Sequence, residues 1–194
     1  MHDYNKYYKP KKNDVVLDCG ACVGESAMKL YRHCRQVICV EPDMFNLFLL
    51  YKRIRKQKNM MVVNAALSDH RGIIRFSRSE PDFFQDDNAG CVMLDKLKPR
   101  DLWYNFVVGD TVDNIMGYLY VPRVDVVKMD IQGSEVSALD GAVNTLKNVR
   151  YIVVESHVVN DVSTSGFIVG FLERQGFVVT VENSEGDVVY GVKK

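Results

Sequence analysis

The sequence predicts a doubly wound α/β fold whose sheet is mostly parallel, with one reversed strand contributed by a C-terminal hairpin. Three observations carry this. Val15, Val16 and Leu17 form a short apolar run that ends at Asp18, and a loop bracketed by Gly20 and Gly24 leads into an amphipathic stretch. A strand buried on both faces, a glycine loop and a helix make one crossover of such a fold. Apolar runs and stretches of helical period then alternate as far as Gln175. Finally, Phe177 to Val181 and Asp187 to Val192 flank Asn183-Ser184-Glu185-Gly186, a hairpin signal.

Taken in order, residues 1–12 read as a flexible or weakly docked arm, polar, basic and rich in tyrosine, and residues 13–194 as one domain. The first strand is Asp14 to Asp18. The first helix runs from Gly24 to Arg35, with Ala27, Leu30, Tyr31 and Cys34 on one face. The second strand is Val37 to Glu41. Pro42 and Asp43 open a second helix whose buried face is expected to be Met44, Phe45, Leu47, Phe48 and Ile54. The basic run Lys52 to Lys58 reads as a solvated helix C-terminus, where cations suit the dipole. The third strand is Met60 to Ala65, and a further strand follows from Ile73 to Ser77. Residues 79–106 read as irregular, and their aromatics suggest a lid or a wall of an acceptor site. Thr111 caps a short helix ending near Tyr118. Val124 to Asp130 is the fourth strand, Ser134 to Leu146 a helix bent at Gly141, Tyr151 to Glu155 the fifth strand, and Ser165 to Gln175 the last helix.

Composition narrows the function. The chain has 194 residues, 47% hydrophobic, enough for one real core. Lys plus Arg and Asp plus Glu number 25 each, so nothing draws the whole chain to nucleic acid or to an anionic membrane. No apolar stretch approaches membrane-spanning length, and no signal peptide is expected. Five cysteines argue against a disulfide framework and for a reducing cytoplasm. Cys19 and Cys22 have the spacing of a redox pair, but two small side chains lining a glycine loop explain them as well.

Ligands of open α/β sheets bind beyond the carboxyl ends of the strands. Asp18, Glu41, Asp130 and Glu155 stand at four such ends, and Asp69 lies just after the third strand. So many acids on one rim would repel one another unless a ligand or cation were shared among them. Glu41 can accept from both hydroxyls of a ribose, leaving Asp43 to cap the next helix.

At this point the residues resemble the FkbM-type methyltransferases. Val16-Leu17-Asp18-Cys19-Gly20-Ala21-Cys22-Val23-Gly24, Val40-Glu41-Pro42, Asn64 to Asp69 with Gly72, Lys128-Met129-Asp130-Ile131-Gln132-Gly133-Ser134-Glu135, Gly141 and Glu155-Ser156-His157 occur in that family's order. The resemblance implies a class I, Rossmann-like domain with a seven-stranded sheet, its last-in-sequence strand inserted antiparallel beside the fifth. It implies S-adenosyl-L-methionine as cofactor. Asp18, Gly20 and Gly24 would hold the methionine end, Glu41 the ribose, and Ala66, Leu67 and Ser68 the adenine, with Asp69 near its amino group. Asp130 would face the methyl. Two positions depart from the family: Cys22 stands where Asn is usual, and Gln132 where Glu is usual.

The expected reaction is methyl transfer to a hydroxyl of a small molecule or sugar, with Asp130 and His157 as candidate bases. An imidazole titrates near 6.5 when unperturbed, which suits a base, although His157 can equally cap the strand end. Asp130, Glu155 and His157 could also gather a divalent cation, but none is assigned. A degenerate cofactor-binding module, suggested by Gln132 and Cys22, is the alternative. A nucleic-acid methyltransferase is disfavoured by the neutral charge.

Overall fold

The computed structural model describes residues 4, 6–79, 91–92, 102–159, 161–183 and 187–193. The first crossover is β1 (Val15–Cys19), α1 (Glu25–Leu30) and β2 (Gln36–Val40), followed by α2 (Met44–Ile54) and β3 (Met60–Val63). Three strands, β4 (Ala66–Leu67), β5 (Gly72–Ser79) and β6 (Cys91–Val92), precede β7 (Leu102–Asp110) and α3 (Val112–Tyr118). The second half comprises β8 (Val126–Met129), α4 (Glu135–Asp140), β9 (Tyr151–Glu155), the short pair β10 (Val158–Val159) and β11 (Val162–Ser163), α5 (Ser165–Arg174), β12 (Val178–Asn183) and β13 (Asp187–Val192).

The main sheet has seven strands in the order β12-β13-β9-β8-β1-β2-β3. Its central pairs are parallel. β13 is antiparallel to both β9 and β12, as the terminal hairpin predicts. Alternate residues feed two cores. Leu17, Ile38, Val127 and Ile152 pack against Ile115, Leu139, Ile168 and Leu172 of α3, α4 and α5. Val16, Val37, Cys39 and Val153 pack on the other face against Ala27, Leu30, Leu50 and Ile54 of α1 and α2. Apolar runs without alternation are what a sheet covered on both faces requires.

Part of the second face is covered by no helix. Tyr4 and Tyr8 pack there against the core that includes Tyr151 and Tyr190. Tyr8 stacks on Tyr151 at 5.4 Å between ring centroids, and Tyr7 meets Tyr190 edge-on at 4.9 Å. The described part of the N-terminal segment, read as flexible or weakly docked, is thus anchored by its tyrosines. Each ring buries apolar area while its hydroxyl keeps a polar partner.

Several expected elements differ. Only Ile54 of the expected α2 face is fully buried: Met44, Phe45 and Phe48 point outward, and Asn46, Leu50 and Ile54, spaced by four, face the sheet. The cap decides this, because Asp43 accepts from Phe45 N and Asn46 N and so sets the helix's rotation. The third strand ends at Val63, and Ala66–Leu67 joins another sheet by pairing with β7. Residues 102–106, read as irregular, are strand, paired antiparallel with β5 from Gly72↔Gly109 to Ser79↔Leu102. The lid expected at 79–106 otherwise falls largely on residues outside those described, as does the turn at 184–186. α4 stops at Asp140, since Gly141 lies against Ser68, whose carbonyl oxygen a Cβ there would meet at 2.2 Å.

The glycine loop owes its shape to three left-handed residues, Gly20 (φ 73°), Cys22 (φ 48°) and Gly24 (φ 87°). Gly20 admits no side chain, because a Cβ would lie 1.9 Å from the Asp130 carbonyl oxygen. Cys22 holds its conformation at a steric cost of about 1–2 kcal/mol, which asparagine relieves by local hydrogen bonding. Cys22→Asn should therefore raise stability by about 1 kcal/mol in urea unfolding, and Cys22→Val should lower it, because a β-branched residue is an outlier there. Equal stability of the two variants would show that the loop relaxes at this position.

Candidate active site

The carboxyl ends of β1 and β8 meet around one buried cation. Lys128, in the middle of β8, is 5% exposed. Its Nζ donates to the Gly20 carbonyl at 2.8 Å and lies 3.2 Å from Asp18 Oδ1 and 3.9 Å from Asp130 Oδ2. Burial pulls the ammonium's pKa down, but the Asp18 and Asp130 charges outweigh it and hold it above its usual value. Burial likewise pushes the Asp18 carboxyl up, against the pull of Lys128. One lysine thus pins the glycine loop to the adjacent strand and bridges two of the four rim acids.

Glu41 closes the other side of the loop. It is 2% exposed, and its carboxylate accepts from Cys22 N at 2.8 Å and Asp43 N at 2.9 Å. Asn64 Nδ2 ties β3 to this corner through the Glu41 and Pro42 carbonyls, at 3.0 and 3.1 Å. The residues placed by resemblance along an adenine lie between β3 and α4. Ala66, Leu67 and Ser68 are buried, and the Ser68 amide donates to the Asp110 carbonyl at the end of β7. Asp69 is exposed, its carboxylate turned to His70 Nδ1 at 2.6 Å, and its amide donates to Ser137 of α4 at 3.1 Å. The hydrogen bonds from His70 and Ser68 hold the Asp69 carboxyl below its ordinary value.

Beyond β8 and β9 an imidazole lies between buried and half-buried carboxylates. His157 Nδ1 is 2.9 Å from Oε1 of Glu135, which is fully buried and also accepts from Gly133 N at 2.9 Å. A carboxylate on Nδ1 places the imidazole proton there and turns Nε2 outward as the basic nitrogen. Nε2 lies 4.0 Å from Asp130 Oδ1, which accepts from Gln132 Nε2 at 2.8 Å. Burial lowers the imidazole pKa, but the Glu135 hydrogen bond and the charges of Glu135, Asp130 and Glu155 outweigh it, so the pKa stands above 6.5. Among the described residues, Asp130, Glu155 and His157 also bring three ligand-type atoms within 4.8 Å of one another.

Asp18, Gly20, Asp130 and His157 are therefore gathered at one place, with Glu41 joined to it through the loop. Lys128 and Glu135 stood in the block that carries the resemblance but were given no role from sequence, and Tyr4 was not singled out. A lysine inside an apolar strand was the signal for Lys128, since such a charge must find partners. Glu135 had the spacing of an ordinary acid in a first helical turn. Tyr4 had no signal at all: its hydroxyl reaches Glu155 Oε2 at 3.0 Å and Asp130 Oδ2 at 3.4 Å across the whole length of the fold.

Lys128→Met should cost about 3–5 kcal/mol in urea unfolding, because it strands Asp18 as an unpaired buried charge. Adding Asp18→Asn should recover most of that loss. A full loss in the double variant would mean that the bond to the Gly20 carbonyl, and not the ion pair, carries the stability.

Comparison with known proteins agrees with this geometry. Residues 18–179 match the Methyltransferase FkbM domain. The chain is 26% identical over 155 residues to the 2-O-methyltransferase NoeI of Sinorhizobium fredii, covering 75% of this chain and 64% of NoeI. The crystal structure of methyltransferase FkbM from Methylobacillus flagellatus superposes with a TM-score of 0.68 at 18% identity, over 98% of this chain and 46% of that one. Aeropyrum pernix fibrillarin, solved with natively bound S-adenosyl-L-methionine, superposes with a TM-score of 0.60 at 13% identity, over 97% of this chain and 71% of that one. The chain spans under two thirds of the length of NoeI and under half of the Methylobacillus protein. A match over most of its length, on the fold and strand-end residues just described, establishes that the chain belongs to the FkbM methyltransferase family.

Proposed function

We propose that the protein is an S-adenosylmethionine-dependent O-methyltransferase acting on a hydroxyl of a small molecule or sugar. The observation that carries this is the charge of the rim. Asp18, Glu41, Asp130 and Glu155 face a region in which Lys128 is the buried cation. Such a rim attracts a ligand carrying a sulfonium and an ammonium, and repels the phosphates of a dinucleotide. The carboxylates also fit hydroxyl and ammonium donors: Asp18 and the Gly20–Gly24 loop would hold the methionine end, and Glu41 the ribose. By the resemblance, Ala66, Leu67 and Ser68 would lie along the adenine, with Asp69 near its amino group. The 2-O-methyltransferase relative supports a hydroxyl acceptor.

When bound, S-adenosylmethionine supplies the methyl group to the acceptor oxygen and leaves as S-adenosylhomocysteine, so the protein has only the acceptor's proton to take. His157 Nε2 takes it, and the resulting imidazolium is stabilised by Glu135 on Nδ1. Glu135 is a positioning residue, since it fixes the ring and reaches the acceptor only through it. Asp130, held by Gln132, orients the hydroxyl. The fold contributes orientation and exclusion of water, which is most of what such a reaction needs.

Calorimetric titration should show micromolar binding of S-adenosylhomocysteine and no comparable binding of NAD. Glu41→Ala should weaken it at least tenfold, for the loss of about 1.5–3 kcal/mol in hydrogen bonds to a charged group. Absence of binding at high micromolar ligand would overturn the methyltransferase reading in favour of an interaction module.

The pH dependence follows from the sign of the His157 shift. A base works when neutral, and its raised pKa keeps the ring protonated to higher pH than a free imidazole. With any hydroxylated acceptor found by screening for S-adenosylhomocysteine release, kcat should rise with pH through an inflection above 6.5. Glu135→Gln, which removes the charge, should move that inflection down, and His157→Ala should abolish it. Activity should survive a chelator. A loss restored by magnesium would instead make Asp130, Glu155 and His157 a cation site.

A further inference from the structure

Tyr4 precedes the fold in sequence but stands at its chemical centre. Its hydroxyl lies 3.0 Å from Glu155 Oε2 and 3.4 Å from Asp130 Oδ2. Lys128 Nζ is 5.5 Å from the centroid of its ring, a cation–π distance. Its carbonyl accepts from the Tyr151 hydroxyl at 3.0 Å, which holds the segment at this depth. A phenol has one proton and donates it to one carboxylate at a time. Burial and the Asp130 and Glu155 charges push its pKa up, so it stays a neutral hydroxyl. A neutral hydroxyl between two carboxylates, one of them 4.0 Å from His157 Nε2, is what an acceptor presents before it loses its proton.

We propose that Tyr4 is a built-in occupant of the acceptor subsite, and that this subsite takes a hydroxyl borne on a flat aromatic ring. The ring lies beside the Lys128 ammonium and the hydroxyl between Asp130 and Glu155, so the subsite is matched to a phenol in both its parts. A phenolic acceptor therefore enters only as the Tyr4 segment withdraws. Beside the Tyr8 and Tyr151 contacts, the segment has a weaker outer fastening. Outside the site, Lys6 pairs with Glu182 at 2.6 Å and Tyr7 donates to the same carboxylate at 2.7 Å, both at the exposed rim. Exposed pairs of this kind hold weakly, and lifting them leaves the sheet's own pairing intact. The role of the phenol as methyl acceptor rests on the methyltransferase reading; the existence of the subsite does not.

The test uses 4-fluorophenol as probe, followed by fluorine NMR on the full chain without cofactor. Tyr4→Ala should bind it saturably and at least tenfold more tightly than wild type, with phenol competing. Tyr4→Phe, which keeps the ring in place, should behave as wild type. Lys6→Glu combined with Tyr7→Phe, which loosens the segment far from the site, should tighten binding several-fold with Tyr4 intact. If Tyr4→Ala melts near wild type and takes up the probe no better, the proposal is wrong. If Tyr4→Ala does not fold, the Lys6 and Tyr7 variant decides, and unchanged probe affinity there overturns it. Titration with S-adenosylhomocysteine is read separately, so a failed subsite and a failed cofactor site are distinguishable.

Discussion

A single ammonium group deep in the sheet organises this protein. Lys128 occupies a central strand position where a chain of this pattern would ordinarily place valine. Burying a charge there costs several kcal/mol unless partners repay it. The partners are the Gly20 carbonyl, Asp18 and Asp130, and each is useful because it is held. The bond to Gly20 brings the glycine loop down onto β8, so closely that Gly20 touches the Asp130 carbonyl. That contact makes glycine obligatory and aligns the ends of β1 and β8. Remove the cation and the loop, the two acids and the close approach lose their common reason.

The same economy runs around the rim. Glu41 joins the loop to the start of α2, Asn64 joins β3 to β2, Ser137 joins α4 to Asp69, and Glu135 joins the β8–α4 loop to His157. Apart from the exposed bond between Asp69 and Ser137, each link is a hydrogen bond to a buried or half-buried group, where failure would leave a polar atom unpaired. These links fix the strand ends and loops of the site relative to one another. Under the proposed methyl transfer such alignment is most of what is needed beside one proton acceptor.

How much of this was legible in the sequence can be argued residue by residue. A mostly parallel sheet with a reversed strand at the end follows from buried apolar runs and a terminal hairpin, whereas the insertion of that strand beside the fifth was implied by the resemblance; the acids at strand ends were visible as the places where the runs stop. Asp18, Asp130 and His157 could be grouped because topology alone brings the ends of adjacent strands together. The outward face of α2 was not legible. Apolar residues crowd both sides of that helix, and the Asp43 cap, not hydropathy, sets its rotation. The pairing of Ala66 and Leu67 with β7 was not legible, because two residues carry no strand pattern of their own and their partner is distant in sequence. Tyr4 was invisible, since nothing local distinguishes a tyrosine that surfaces from one that threads into a site.

The two departures from the family's pattern are better understood from the backbone than from the side chains. Cys22 and Gln132 both adopt left-handed φ, at 48° and 55°. Gly133 follows at 106°, so Gln132 stands at the corner that turns β8 into α4. Its amide donates to Asp130, a contact that a carboxylate could make only by taking up a proton. With glutamate there, two acids would compete at hydrogen-bond distance and one would be driven neutral. With glutamine, the Asp130 carboxylate has an amide donor at 2.8 Å instead, and in the proposed reaction the role of base falls to the imidazole that Glu135 holds. On the proposed reading, glutamine therefore leaves the proton acceptor in place, because that acceptor is His157. The proposed reaction then uses one group, Asp130, to orient the hydroxyl and another, His157, to deprotonate it.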